Sequence, residues 1–362
     1  VRGDAARTEG QEERAMQMTK LGRTDIEVSK FCLGSMLWGT KNTAAQGHAQ
    51  IERCLDAGIN FVDTAEMYPV PPTADTVGGS ETVIGDWFAA TGRRKEVVLA
   101  TKHSGAGLSH VRDGAPITAQ SIPQVVAQSL ARLQTDYIDL YQFHWPNRGS
   151  YMFRQNWTYD PTGQDRAATI QNIEDCLGAL QREVDAGRIR AFGMSNESAW
   201  GLTQWAQAAE RGHGPRVCAV QNEYSLLCRL ADTDLAETLH NEEIGMLSFS
   251  PLAAGLLTGK YQNGAEPADS RLVEGGSQLG GRMTQRAPVA TQAYLDVAAK
   301  HALDPVHMAL AWARDRPFMA SLIFGASDMA QLEHILAGTD LVLDSAVMDD
   351  IDAAHRAHPM PY

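Results

Sequence analysis

Four residues of different chemistry stand at or just past the ends of short apolar runs. Asp63, Lys102 and His144 close the runs Asn60–Thr64, Val97–Lys102 and Tyr137–His144, and Tyr68 follows Asp63 closely. Taken singly each is ordinary: a strand-terminal Asp often caps the next loop, and a lone Tyr, Lys or His is more often a packed or satisfied structural group. Together they describe a proton donor. A phenol ionises at about pH 10 when unperturbed, too high for easy exchange at neutral pH. An ammonium beside it, Lys102, stabilises the phenolate and lowers that value. Asp63 can hold and orient the lysine, and His144 can hydrogen-bond a substrate oxygen or the tyrosine. Such a set protonates an oxygen that is becoming an alkoxide, which is what carbonyl reduction needs. No side chain supplies a hydride, so a nicotinamide cofactor is implied.

The set works only if those run ends are neighbours. Eight strand-like segments recur: Phe31–Leu37, Asn60–Thr64, Val97–Lys102, Tyr137–His144, Ile189–Ser195, Val217–Asn222, Gly245–Ser250 and Leu322–Gly325. Helical stretches lie between them. In Ser121–Leu133, for example, Ile122, Val125, Val126, Ser129, Leu130 and Leu133 form one stripe. Apolar strands alternating with helices of period 3.6 imply a parallel sheet, whose neighbouring strands lie about 4.8 Å apart. Eight units closing on themselves give an α/β fold of the (β/α)8 TIM-barrel type; a doubly wound open sheet is the alternative. The length of 362 residues suits one barrel with long loops, because a bare barrel needs only about 250. The long connections Pro69–Ser80, Ser104–Gln120, Trp145–Ala168 and Pro251–Thr284 each follow a strand. They therefore fall on the C-terminal face, where barrel active sites lie. Lys20-Leu21 and Val28 flank the Gly22–Asp25 turn and predict a β-hairpin ahead of the barrel. Residues 18–362 read as a single barrel domain. Residues 1–17 read as a polar, mobile extension without the apolar stretch of a secretory signal.

Composition narrows the partners. There are 31 basic and 44 acidic side chains, a net charge of −13, which disfavours a nucleic-acid backbone or an anionic membrane surface. No segment approaches the roughly 20 apolar residues of a membrane helix. The five cysteines, Cys32, Cys54, Cys176, Cys218 and Cys228, are odd in number and form no C-x-x-C pair. A cytoplasmic, reducing location and a small-molecule substrate follow as expectations.

Six motifs then carry a resemblance. Gly58-Ile-Asn-Phe-Val-Asp-Thr-Ala-Glu-Met-Tyr68, Ala100-Thr-Lys-His103, Asp136-Tyr-Ile-Asp-Leu-Tyr-Gln-Phe-His-Trp-Pro146, Gly193-Met-Ser-Asn196, Val220-Gln-Asn-Glu-Tyr-Ser225 and Phe249-Ser-Pro-Leu252 run in order along the chain. In these the sequence resembles the aldo-keto reductases, and Ala65-Glu-Met-Tyr-Pro-Val-Pro-Pro72 with His144-Trp-Pro146 is similar to the bacterial Tas-type branch. The resemblance implies a barrel closed at the bottom by the hairpin. It implies Tyr68 as general acid/base, Lys102 and Asp63 as its tuning pair and His144 as orienter of the carbonyl. It implies Ser195, Asn196 and Gln221 on the nicotinamide carboxamide, and Phe249 stacked under the ring, with Ser250 and Leu252 beside it. Gly255-Leu-Leu-Thr-Gly-Lys260 resembles the family's pyrophosphate-covering loop.

Phosphate binding has support from the residues themselves. Gly325-Ala-Ser-Asp-Met-Ala-Gln-Leu332 opens a helix after the eighth strand, where barrels often bind phosphate through helix N–H groups. Asp328 with Gln331 also reads simply as a helix cap. NADP(H) is the family-implied cofactor, with NAD(H) as the alternative. Ser327 and Ile335 stand where NADP(H)-preferring members carry Arg and Asn, while Gln331 is retained. Lys260, Arg271, Arg282 or Arg286 could supply the missing cation. Trp38, Trp145 and Tyr224 follow strands and are expected as substrate-pocket walls. Among the eleven histidines none forms H-x-H, and no two end neighbouring strands with a carboxylate, so a metal-dependent hydrolase is disfavoured. A non-catalytic, cofactor-binding regulatory subunit on the same fold is the remaining rival.

Overall fold

The hairpin comes first: β1 (Met18–Lys20) and β2 (Glu27–Ser29) pair antiparallel, Met18 opposite Ser29. Eight further strands follow in the computed structural model, which describes residues 15–274 and 277–362. They are β3 (Phe31–Gly34), β4 (Phe61–Asp63), β5 (Val98–His103), β6 (Ile138–Phe143), β7 (Ile189–Ser195), β8 (Val217–Glu223), β9 (Gly245–Phe249) and β10 (Met319–Phe324). Each pairs in parallel with its sequence neighbour. β10 pairs with both β9 and β3, so the sheet closes and the open-sheet alternative falls. Residues 1–14 of the expected extension lie outside the described residues. Of the rest, Met16 packs against the core and the Gln17 carbonyl accepts from Lys30 N–H.

Side-chain alternation sorts the strands into two cores. Inward, Cys32, Phe61, Ala100, Leu140, Ala191, Ala219, Leu247 and Ala320 pack on Leu21, Ile26 and Val28 of the hairpin, which plugs the bottom. Gly22 makes the plug fit. Its φ is +52°, and a Cβ there would meet the Cys218 carbonyl oxygen at 2.6 Å. Outward, Leu33, Val62, Leu99, Tyr141, Phe143, Phe192 and Val220 pack on the surrounding helices.

Those helices begin where their sequence signals stand. Thr43 caps Ala44–Asp56 in a capping box with Gln46. Asp165 caps Arg166–Asp185, Ser198 caps Ala199–Glu210 and Asp344 caps Ser345–Ala357. Ser121–Leu133 buries its predicted stripe, with Leu130 half-buried at the edge. The first barrel strand ends at Gly34 rather than Leu37, because Ser35 N–H turns to the Asp63 carbonyl and Trp38 N–H closes a turn on Ser35. The four long connections follow β4, β5, β6 and β9 and share one end of the barrel. All five cysteines are buried and unpaired. Among the described residues no helix is long and apolar enough to cross a membrane.

Candidate active site

Above the apolar floor the inward positions turn polar. Asp63 ends β4, Lys102 and Gln142 stand opposite each other on β5 and β6, and Gln221 lies on β8. Lys102 Nζ donates to Asp63 Oδ2 at 2.5 Å and to the Thr64 carbonyl at 2.7 Å. The other carboxylate oxygen accepts from Gln221 Nε2 at 2.8 Å and Gln142 Nε2 at 3.3 Å. Lys102 is fully buried and Asp63 nearly so. Burial works against the ammonium, but Asp63 and Tyr68 together outweigh it and lift the Lys102 pKa above the ordinary range.

The Tyr68 Oη lies 3.4 Å from Lys102 Nζ, and its ring meets that of His144 edge-on with centroids 5.7 Å apart. The structure thus brings Asp63, Tyr68, Lys102 and His144 together. One detail differs from the sequence-based expectation. Burial raises the Tyr68 pKa by more than Lys102 lowers it, so the phenol keeps its proton at neutral pH. Burial, then the Lys102 charge, pushes His144 well below the usual imidazole range and keeps it neutral. Its Nδ1 is buried without a partner among the described residues.

Next to this set, Ser195 Oγ donates to the Gln221 carbonyl at 2.8 Å, and Asn196 Nδ2 donates to the His144 carbonyl at 2.9 Å. Asn196 Oδ1 is buried and unpartnered among the described residues. Phe249 ends β9 half-buried, level with Glu223 on β8. Beyond it Ser250, Ala253, Ala254 and Gly255 all take left-handed backbone angles, Leu252 is partly buried, and Lys260 folds back over the turn. A Cβ on Gly255 would stand 2.9 Å from Lys260 Cε. Gly325 leads to the Met329–Leu336 helix, which Asp328 caps by accepting Gln331 N–H at 2.8 Å. The Gln331 side chain turns back onto Ser327 N–H and Asp328.

Two of the three expected pocket walls are not walls. Trp38 is buried against the Ala44–Asp56 helix, its Nε1 donating to Gln50 at 3.1 Å. Tyr224 stacks on Trp312 in the outer core and donates to Asp232 at 2.5 Å. Both follow a strand but face outward. Trp145 does border the site. Its ring lies 4.9 Å from His144 and 6.3 Å from Phe153, and it packs with Met36, Val70 and Leu108 around Tyr68. Ile335, at the position where NADP(H)-preferring members carry Asn, is buried in the core.

Three groups escaped the sequence reading. Gln142 shares its inward parity with His144 two residues on. Glu223 shares it with Gln221, and is gripped by Arg154 at 2.7 Å and Arg282 at 2.6 Å from the loops after β6 and β9. Glu66, inside the Tyr68 motif, pairs with Arg112 and accepts Ser104 N–H. This fixes the loop after β5 to the segment that carries Tyr68.

The neutral histidines give a pH prediction. His103, bonded to Ser104 and Ser121, is pushed down to about 3, first by burial and then by Arg112; His144 is lowered likewise. The unfolded chain therefore binds protons that the folded chain refuses, and stability falls with pH below the unfolded value of about 6.5. The expected slope for each histidine grows from about 0.7 kcal/mol per unit at pH 6.5 toward about 1.4 near pH 5. Denaturant titrations at half-unit steps read it, and His103→Gln should remove about half.

Comparison with known proteins agrees with this geometry. The model of the Aldo/keto reductase family matches residues 30–356. Protein tas of Escherichia coli (strain K12) is 39% identical over 96% of this chain and 99% of its own length. The uncharacterized oxidoreductase YrpG of Bacillus subtilis (strain 168) is 30% identical over 92% of this chain and 94% of its own. A probable voltage-gated potassium channel subunit beta of Arabidopsis thaliana is 27% identical over 95% and 98%. Fold, motif order and these matches agree that the chain belongs to the aldo/keto reductase family.

Proposed function

We propose that this chain reduces an aldehyde or ketone to the alcohol, reversibly, with Tyr68 as general acid. The observation that carries the reading is the Tyr68 phenol at 3.4 Å from the ammonium of a buried Lys102–Asp63 pair, inside an apolar mouth. A nicotinamide cofactor, when bound, supplies the hydride. The residues present suit one: the orphaned Asn196 Oδ1 offers an acceptor to a carboxamide, with Ser195 and Gln221 adjacent, and Phe249 offers an aromatic face. His144, held neutral, orients the substrate oxygen. Tyr68 delivers its proton as negative charge grows there, and Lys102 stabilises the phenolate left behind. Trp145 and its apolar neighbours exclude water. We place the enzyme in the cytoplasm, in keeping with its five unpaired cysteines.

Product analysis with an enone tests the reaction type. The unsaturated alcohol is expected; a saturated ketone as sole product contradicts carbonyl reduction. Cofactor oxidation that ignores added carbonyl would favour a regulatory role instead.

For the cofactor, NADP(H) is favoured, with weak discrimination against NAD(H). Asp328 serves as a cap, Arg282 is paired with Glu223, and Arg286 donates to the Met360 carbonyl. Lys260 and Arg271 have no acidic partner among the described residues and are left to meet a 2′-phosphate. A preference for NADPH below about 10³-fold is expected, near 4 kcal/mol at tenfold per 1.4. Binding constants for both reduced cofactors measure it, and a larger ratio overturns this view of the corner.

A further inference from the structure

On the outer ring of helices, where Pro305–Arg314 begins and Met329–Leu336 ends, Asp304, His307 and His334 converge. One ligating atom from each lies within 4.8 Å of the other two. Asp304 is the N-cap of its helix, with Oδ1 accepting from Val306 N–H at 2.8 Å and His307 N–H at 3.1 Å. Its Oδ2 faces His334 Nε2 at 3.0 Å.

His307 is fixed from two sides. Its Nε2 lies 2.6 Å from the His334 carbonyl, so that nitrogen carries the proton and Nδ1 the lone pair. Its ring also presses on Gly338, where a Cβ would fall 2.2 Å from Cγ. A ligating histidine that gives its other N–H to a backbone carbonyl is the usual supporting arrangement at metal sites. His334 is the adjustable member, with half its side chain exposed.

We propose that Asp304, His307 and His334 bind one divalent transition cation of the zinc class, with water completing the coordination. Two imidazoles and a carboxylate suit zinc or nickel rather than magnesium, which prefers oxygen ligands and its own water. Ligand bonds of about 2.0–2.2 Å set donor atoms about 3.4 Å apart, and rotation of exposed His334 closes the present spacing. The ion would join the start of one helix to the end of the helix whose other end is the Asp328 corner. It takes no part in carbonyl reduction. The D-x-x-H step and distant His334 escape any search for H-x-H or strand-end ligands.

Calorimetric titration of the chelator-stripped full chain tests the proposal, with His334→Gln and Asp304→Asn as variants. Asn keeps the helix cap, and His334 is exposed, so both should fold. One equivalent of Zn²⁺ should bind with a dissociation constant on the order of 10 µM or tighter, and Mg²⁺ should not bind at the same concentration. Each variant should weaken Zn²⁺ binding at least about tenfold and abolish the zinc-dependent rise in melting temperature. His213→Gln, at an exposed histidine beside Glu174, should change neither. No saturable binding at about 100 µM Zn²⁺, or equal affinity in wild type and both variants, overturns the proposal.

Discussion

Tyr68→Phe should lower carbonyl turnover by about 10²–10⁴-fold while leaving the affinity for reduced cofactor nearly unchanged. In barrier height that is about 2.7–5.5 kcal/mol. The change deletes one oxygen. Lys102 keeps its bonds to Asp63 and Thr64, so no charge is stranded, and the Phe ring still packs against Ala65, Met67 and Val111. The groups left beside the site are poor substitutes: Lys102 is committed to Asp63 and Thr64 and held as an ammonium, and His144 is held neutral by burial and by the Lys102 charge. Steady-state rates with a reactive aldehyde, beside fluorescence titration with NADPH, separate chemistry from binding. Full activity in this variant would end the case for Tyr68 as acid.

Lys102→Met should be damaging twice over. Losing the ammonium leaves Asp63 buried with only the Gln142 and Gln221 amides, and breaking a buried pair by removing one partner typically costs about 3–5 kcal/mol. A lower denaturation midpoint at unchanged slope reads that loss. Turnover should fall as well, and the pH at which alcohol oxidation sets in should rise, since the phenolate has lost its stabilising cation. An unchanged pH–rate profile would mean that Lys102 supports the fold and not the phenol.

The barrel was legible because eight apolar strands alternate with amphipathic helices, and Ile189–Ser195 and Ser121–Leu133 fall where the pattern puts them. The clustering of Asp63, Lys102 and His144 was legible because they share inward parity at adjacent strand ends. The same parity argument, carried one residue past the end of β8, separates Tyr224 from Gln221: three residues apart, they face opposite sides. Trp38 was misread because β3 stops at Gly34 and the chain turns outward before reaching it. The sign of the Tyr68 shift could not be read from the sequence. It depends on how completely the loops after β4, β5 and β6 cover the ring, and burial is a property of tertiary packing.

The hairpin plug has a consequence for where protons come from. With Leu21, Ile26 and Val28 sealing the bottom and Phe61, Leu140 and Leu247 filling the space above, the polar layer rests on a dry floor. Asp63 and Lys102 have no route to water through the base of the barrel. If Tyr68 is the acid we propose, the proton that recharges it must arrive from the substrate side, through the same opening by which the alcohol would leave. Re-protonation and product departure therefore share one doorway and cannot be scheduled independently, so a bulky product that lingers at Trp145 delays the next proton as well as the next substrate.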